Sequence, residues 1–242
     1  MLTIASCAPK HYQLTGVDRT RIIVDSRYDQ NPDPAAVKFL EPYKRVNDSI
    51  MGPVMGQVAH NMHPQRPESD LSNLLADILV WAAKDYGEQP VFGVYNMGGV
   101  RADLPKGEVT YGDVLDVAPF ENKIAFATLS GADVLELFGQ MASVGGEGVS
   151  HAVRMVITKD GKLVSATLNG EPIDPQKDYR MTTIDYLLGG TDKMEAFKKS
   201  RDVNAPKETS NNTRFIIMNY FRDMEKQGKM VDSEIEGRVV VE

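Results

Sequence analysis

One cysteine, one tryptophan and four histidines are a sparse supply, for 242 residues, of the side chains that build disulfide frameworks, aromatic stacks and metal centres. With Cys7 alone there is no internal disulfide and no thiolate cluster for a metal. No apolar run approaches the roughly 20 residues a membrane-spanning helix needs. Repeats and low-complexity tracts are missing too, as are a Ser-His-Asp signature, a P-loop and a dinucleotide fingerprint. Basic residues are outnumbered, 27 Lys and Arg against 34 Asp and Glu, for a formal charge of −7. That balance argues against a nucleic-acid binder, whose affinity comes from clustered cations on phosphates. A small anionic ligand stays open, because one or two placed arginines suffice for it. What is present, 42% hydrophobic and 25% charged residues, is the composition of an ordinary globular domain.

The first thirty-odd residues read as weakly structured, with one short strand expected over Thr20–Val24. Pro32 and Pro34 then lead into a helix starting near Ala35. His60–Pro67 reads as a polar loop. Ser69 caps a helix whose Leu71, Leu74, Leu75, Ile78, Leu79 and Ala82 share one face, and Gly87 ends it. Val91–Tyr95 reads as a buried strand. Thr110 and Asp113 have capping-box spacing, Lys123–Leu129 reads as a strand, and Ser130 with Asp133 opens the next helix. Ala152–Thr158, Leu163–Leu168 and Tyr179–Thr183 read as strands joined by hairpin turns at Asp160-Gly161 and Asn169-Gly170. Asn212 precedes a helix through Phe215 and Met224, and Arg238–Val241 is a closing strand. Helices mixed with antiparallel hairpins predict an α+β or mixed α/β class. Residues 1–35 form an N-terminal tether or extension in this reading, and 36–242 one domain.

Three loops could carry chemistry. Asn96-Met97-Gly98-Gly99-Val100-Arg101 leaves a buried strand, where two glycines permit a sharp turn and close ligand approach. Arg101 offers five donors to a phosphate, carboxylate or sugar edge. Phe120 lies in Pro119-Phe120-Glu121-Asn122, between elements, and Tyr186 precedes Gly189-Gly190-Thr191-Asp192. Two aromatics on separate loops can sandwich a purine, and Asp192 can accept hydrogen bonds from ribose hydroxyls. Taken singly, each has a plain structural explanation, a turn or a ring packed under its own loop. Their combination is what points to a site.

Asn96 to Arg101, Thr110-Tyr111-Gly112-Asp113-Val114 and Val117-Ala118-Pro119-Phe120 together resemble the C-terminal, substrate-recognition domain of 5′-nucleotidases. Glu68 to Leu74, the Tyr179–Thr183 strand and Glu236-Gly237-Arg238-Val239 extend the resemblance in the family's order. It implies a four-layer α/β/β/α mixed-sheet fold and a base held between Phe120 and Tyr186. It also implies ligand contacts from Asn96, Gly98, Gly99, Arg101 and Asn122, and a ribose contact from Asp192. Arg66 stands near the position of a phosphate-binding arginine. Met97 replaces a family glycine, Tyr186 the more usual phenylalanine, and Gly189 to Lys193 departs from an Asn-Gly-Gly-Asp-Gly loop.

In that family two metal ions sit in an N-terminal metallophosphoesterase domain marked by Asp-x-His, Gly-Asn-His-Asp/Glu and Gly-His-x-His. None of His11, His60, His63 and His151 lies in such a motif, and two-metal phosphate chemistry needs those ligands. The expectation is therefore a nucleotide- or nucleoside-binding chain with no catalytic or metal-ligating residues and no cofactor of its own. Divalent metals and hydrolysis would come from a separate metallophosphoesterase subunit. The alternative is a non-catalytic nucleotide-binding lipoprotein. Ile4-Ala5-Ser6-Cys7 resembles the bacterial lipobox, implying lipidation at Cys7, export, and a periplasmic or outer-membrane place with membrane contact only through the lipid. Met1–Ser6 is too short for a signal peptide, so that reading requires a longer start; a chance match is the other possibility.

Overall fold

The structure is a computed structural model and describes residues 12–242; Cys7 and His11 lie outside the described residues. The chain divides into two compact units, up to Arg45 and from Val46 to Glu242.

In the first unit Asp25 caps a single 3₁₀ turn, Ser26–Tyr28. Helix α1 (Pro34–Met51) begins in it, with Asp33 accepting from the Ala35 amide at 2.8 Å. The strand expected over Thr20–Val24 is not formed; the segment is irregular, exposed chain. Its β-branched residues favour a strand, but a strand needs a paired edge.

The second unit holds three sheets. β1 (Val54–Val58) and β3 (Gly107–Thr110) form an antiparallel pair. A five-stranded mixed sheet runs β10 (Arg201–Asn204), β4 (Ile124–Ser130), β9 (Asp178–Ile184), β2 (Phe92–Tyr95), β5 (Gly148–Val149). A four-stranded mixed sheet runs β11 (Val239–Val241), β6 (Val153–Ile157), β7 (Leu163–Leu168), β8 (Glu171–Pro172). The α+β reading with mixed sheets holds.

The helices begin where the capping residues place them. α2 (Asp70–Ala82) starts at Ser69, whose hydroxyl accepts from the Ser72 amide, and a 3₁₀ extension ends at left-handed Gly87. Thr110 and Asp113 form the capping box of α3 (Tyr111–Val117). Ser130 caps α4 (Gly131–Ser143), the short α5 (Asp185–Leu188) follows β9, and Asn212 precedes α6 (Thr213–Lys226). α2 lies on β2 and β5, closely enough that a Cβ on Gly93 would come within 2.9 Å of the Ala76 carbonyl oxygen. α4 touches both β4 and β7. Phe92 meets Phe138 edge-on at 5.6 Å in the core, and Trp81 meets Tyr220 in the same way at 5.2 Å.

One turn connects differently from expectation. Asn169-Gly170, both left-handed (φ 52° and 81°), turns β7 into the two-residue β8. β9 then leaves for the other sheet, where it pairs with β4 and β2. The turn chemistry was legible, but a two-residue partner strand leaves no pattern to read.

The register decides where loops gather. β9 runs parallel to β2, with Phe92 opposite Met181, and antiparallel to β4, with Ile124 opposite Ile184. β5 runs antiparallel to β2, with Gly148 opposite Tyr95. The exits of β2 and β9 and the entries of β4 and β5 therefore share one end of the sheet.

Candidate functional site

At that end β2 releases Asn96, still extended, into a 3₁₀ turn over Met97–Gly99. The Gly99 amide donates to the Asn96 carbonyl at 3.0 Å. A Cβ on Gly99 would stand 2.6 Å from Asn96 Oδ1, so the glycine leaves room for that side chain. Beneath the turn lies Glu147, 2% exposed, just before β5. Its Oε2 accepts from the Met97 amide at 2.5 Å, and its Oε1 pairs with Arg66. Arg66 Nε also donates to the Gly146 carbonyl at 2.7 Å. Burial pushes the Glu147 carboxyl above its ordinary value; the Met97 amide and Arg66 oppose this, and the Asp192 charge adds to it.

The loop before β4 is tied on both sides. Arg214, in the first turn of α6, donates to the Pro119 carbonyl at 2.9 Å, and the Thr213 amide donates to the Asn122 carbonyl at 2.9 Å. The Lys123 amide donates to Asp185 Oδ1 at 3.0 Å, and the Asp185 amide returns a bond to the Lys123 carbonyl at 2.8 Å. Asp185 opens α5, which carries Tyr186. This reciprocal clasp fastens the loop of Phe120 to the turn of Tyr186.

Past α5 the chain turns through Gly190 (φ 74°), and Asp192 and Lys193 follow in the left-handed region (φ 53° and 64°). Asp192 Oδ2 accepts from Asn96 Nδ2 at 2.5 Å, and its Oδ1 accepts from the Tyr186 hydroxyl at 3.1 Å. Asn96 Oδ1 is buried without a hydrogen-bond partner.

Asn96, Gly98, Gly99, Phe120, Asn122, Tyr186 and Asp192 line one cavity of about 180 Å³. Phe120 and Tyr186 are 46% and 43% exposed, so neither ring is packed away under its own loop. The volume is below the roughly 300–1,000 Å³ of sites that enclose a drug-sized ligand; it fits one ring system better than a whole nucleotide. Arg66 is not in this lining. It lines a neighbouring cavity of about 270 Å³ with Val144, Glu147 and Lys193, and Gly98 and Asp192 border both spaces. Arg101 lines neither cavity: its side chain lies outside, with Nη1 3.5 Å from the Gly98 carbonyl. The turn at Met97–Gly99 ends in extended Val100, which carries Arg101 past the opening.

The histidines go elsewhere. His60 places Nε2 3.1 Å from Asp70 and Nδ1 3.1 Å from Asp232. His63 pairs with Asp103 at 2.8 Å and His151 with Glu236 at 2.7 Å. Among the described residues no group of three or more His, Cys, Asp and Glu is placed to hold a metal ion.

Sequence reading missed Glu147, Asp185 and Arg214. Glu147 did carry a signal, a lone carboxylate between Gly146 and Gly148. Asp185 and Arg214 act through backbone groups of a loop far away in sequence and carried none.

The chain belongs to the 5′-nucleotidase C-terminal domain family, whose model matches residues 53–199. Protein UshA of Yersinia enterocolitica is 30% identical over 162 residues, covering 65% of this chain and 30% of that protein. Protein UshA of Escherichia coli K12 is 28% identical over 159 residues, covering 64% and 29%. The 5′-nucleotidase of Vibrio vulnificus is 26% identical over 181 residues, covering 71% and 31%. The chain thus spans about a third of the length of these relatives. Among solved structures, the 5′-nucleotidase precursor of Thermus thermophilus superposes with a TM-score of 0.75 at 24% identity, covering 88% of this chain and 44% of its own. The NAD nucleotidase of Haemophilus influenzae gives 0.64 at 20% identity, covering 87% and 42%. At these identities the structures speak for the fold.

Proposed function

We propose that this domain binds the base and ribose of a nucleotide or nucleoside, and works with a separate metallophosphoesterase subunit in nucleotide catabolism. The observation that carries the reading is one cavity walled by two half-exposed aromatics, Phe120 from the loop before β4 and Tyr186 from α5, and by a carboxylate that accepts from Asn96 and Tyr186. The rings supply stacking surface, Asn122 and Asn96 supply polar contacts, and Asp192 accepts from the sugar. Arg66, across the Gly98–Asp192 border, and Arg101, outside the opening, would meet the phosphate side. In this reading metal-activated water and phosphoryl chemistry are assigned to the partner, which would hold the divalent ions. The names of the relatives, 5′-nucleotidase among them, fit this assignment.

Calorimetric titration with adenosine, AMP and UMP tests the binding: saturable uptake that Asp192→Ala weakens is expected, and no uptake of any of the three would sink the reading. In an AMP hydrolysis assay with Mg²⁺, turnover should require the added phosphoesterase and fall on dilution as the subunits part. Metal-dependent turnover by the purified chain alone would refute the partner. Binding without stimulation by any phosphoesterase would favour the non-catalytic lipoprotein instead.

The same reading puts the protein outside the cytoplasm, held by a lipid on Cys7. Labelling cells with a fatty-acid analogue should mark the protein; labelling that survives Cys7→Ser, or none at all, would overturn the anchor.

A further inference from the structure

Tyr186 carries a hydroxyl on its ring, and the structure gives that oxygen a partner. The phenol donates to Asp192 Oδ1 at 3.1 Å, while Asn96 Nδ2 holds the other carboxylate oxygen at 2.5 Å. Asp192 sits in the left-handed region at φ 53°, followed by Lys193 at φ 64°, a pair of conformations that L side chains rarely adopt. A carboxylate on such a turn, only partly buried, needs outside bonds to fix its plane. Each carboxylate oxygen has two acceptor positions. With one on each oxygen taken by the protein, one on each is left for a ligand, and Asp192 lines the cavity.

We propose that the Tyr186 hydroxyl is a positioning residue: it sets the plane of the Asp192 carboxylate so that both oxygens accept from a vicinal pair of hydroxyls. A phenylalanine would offer the same stacking face and leave the carboxylate held from one side. Tyr186 therefore raises the selectivity of this chain for ribose over 2′-deoxyribose. This inference rests on the reading that a nucleoside occupies the cavity.

The experiment is a calorimetric titration of the whole chain and its Tyr186→Phe variant with adenosine and 2′-deoxyadenosine. The unaltered chain should prefer adenosine. Tyr186→Phe should shrink that preference by roughly three- to tenfold, the scale of one hydrogen bond lost, through weaker adenosine binding, with 2′-deoxyadenosine changed less than about twofold on the same scale. In an Asp192→Ala background the same substitution should leave the ratio unchanged, because there is no carboxylate to position. A merely structural role would weaken both ligands alike and lower the melting temperature. An unaltered ratio, or tighter adenosine binding by Tyr186→Phe, overturns the inference and leaves the nucleoside reading standing. If the unaltered chain binds neither ligand, both fall together.

Discussion

The four-stranded sheet is assembled mainly from sequence neighbours, with β6 and β7 joined at Asp160-Gly161 and β7 and β8 at Asn169-Gly170, and only β11 arriving from far away. The five-stranded sheet is assembled from strangers: β9 pairs with β4 and with β2, both well before it in the chain. Local pairing leaves tight turns at strand ends, and the hollows beside them are lined by no Phe, Tyr or Trp. Distant pairing brings long connections to a common end, and every residue of the candidate cavity lies on those connections. Recognition thus gathers on the loops of one sheet, divided from a core that draws on both.

The division can be tested hardest at Arg238. Its side chain is 1% exposed, just before β11, and donates to Asp77 on α2, to Glu236, and to the Val149 carbonyl of β5. It ties the two sheets together and touches none of the site loops. Arg238→Ala should lower stability by about 3 kcal/mol, the low end for breaking a buried pair, because Asp77 and Glu236 stay partly hydrated. Chemical denaturation reads the loss. Adenosine affinity of the remaining folded protein should be unchanged; a parallel loss of affinity would show that the division is false.

Phe120→Ala asks the opposite. Stacking on one aromatic is worth about 1–3 kcal/mol per base, so nucleoside binding should weaken roughly ten- to a hundredfold. Because the ring is half exposed, the melting temperature should barely move. Calorimetry and thermal unfolding on one sample separate the two effects, and a large fall in melting temperature would make Phe120 a core residue.

The smallest effect compares two carboxylates. Arg180 holds Glu88 below its ordinary value with bonds of 2.6 and 2.7 Å, whereas burial pushes Glu147 up. Between 4.5, the ordinary value, and its own raised value, folded Glu147 keeps a proton that the unfolded chain has released. Its charged form therefore costs stability at neutral pH, and the cost is relieved as pH falls through the raised value. The melting temperature of the unaltered chain minus that of Glu147→Gln should rise from pH 7 toward 4.5. A difference that falls instead would mean that Arg66 outweighs burial. Glu88→Gln should give the reverse sign: its stabilisation is present above 4.5 and lost as pH drops through the lowered value.

How much of this was legible in the sequence follows the same line. Capping side chains act on amides three residues away, so the starts of α2, α3 and α4 could be read at Ser69, Thr110 and Ser130. β1 carries Gly56 and Gln57 within its span, and β5, β8 and β10 are too short or too polar for an alternating pattern, so they went unread. Phe120, Tyr186, Asp192 and the glycines of the cavity stood out only in combination, and Asn122 only through the family resemblance. Arg101 was read by its chemistry, but its direction depends on the turn that precedes it. Asp185 and Arg214 fasten a backbone that only the folded sheet brings near them, and no spacing announces that.

The clasp between Lys123 and Asp185 has a bearing on the order of folding. It closes only after β4 and β9, distant in sequence, have zipped together up to Ile124 and Ile184. Long-range pairing of this kind is slow, since chain entropy is spent before contacts repay it. A refolding chain can therefore form the β6–β7–β8 hairpins while the cleft does not yet exist, and uptake of a nucleoside would clock the moment the central strands lock.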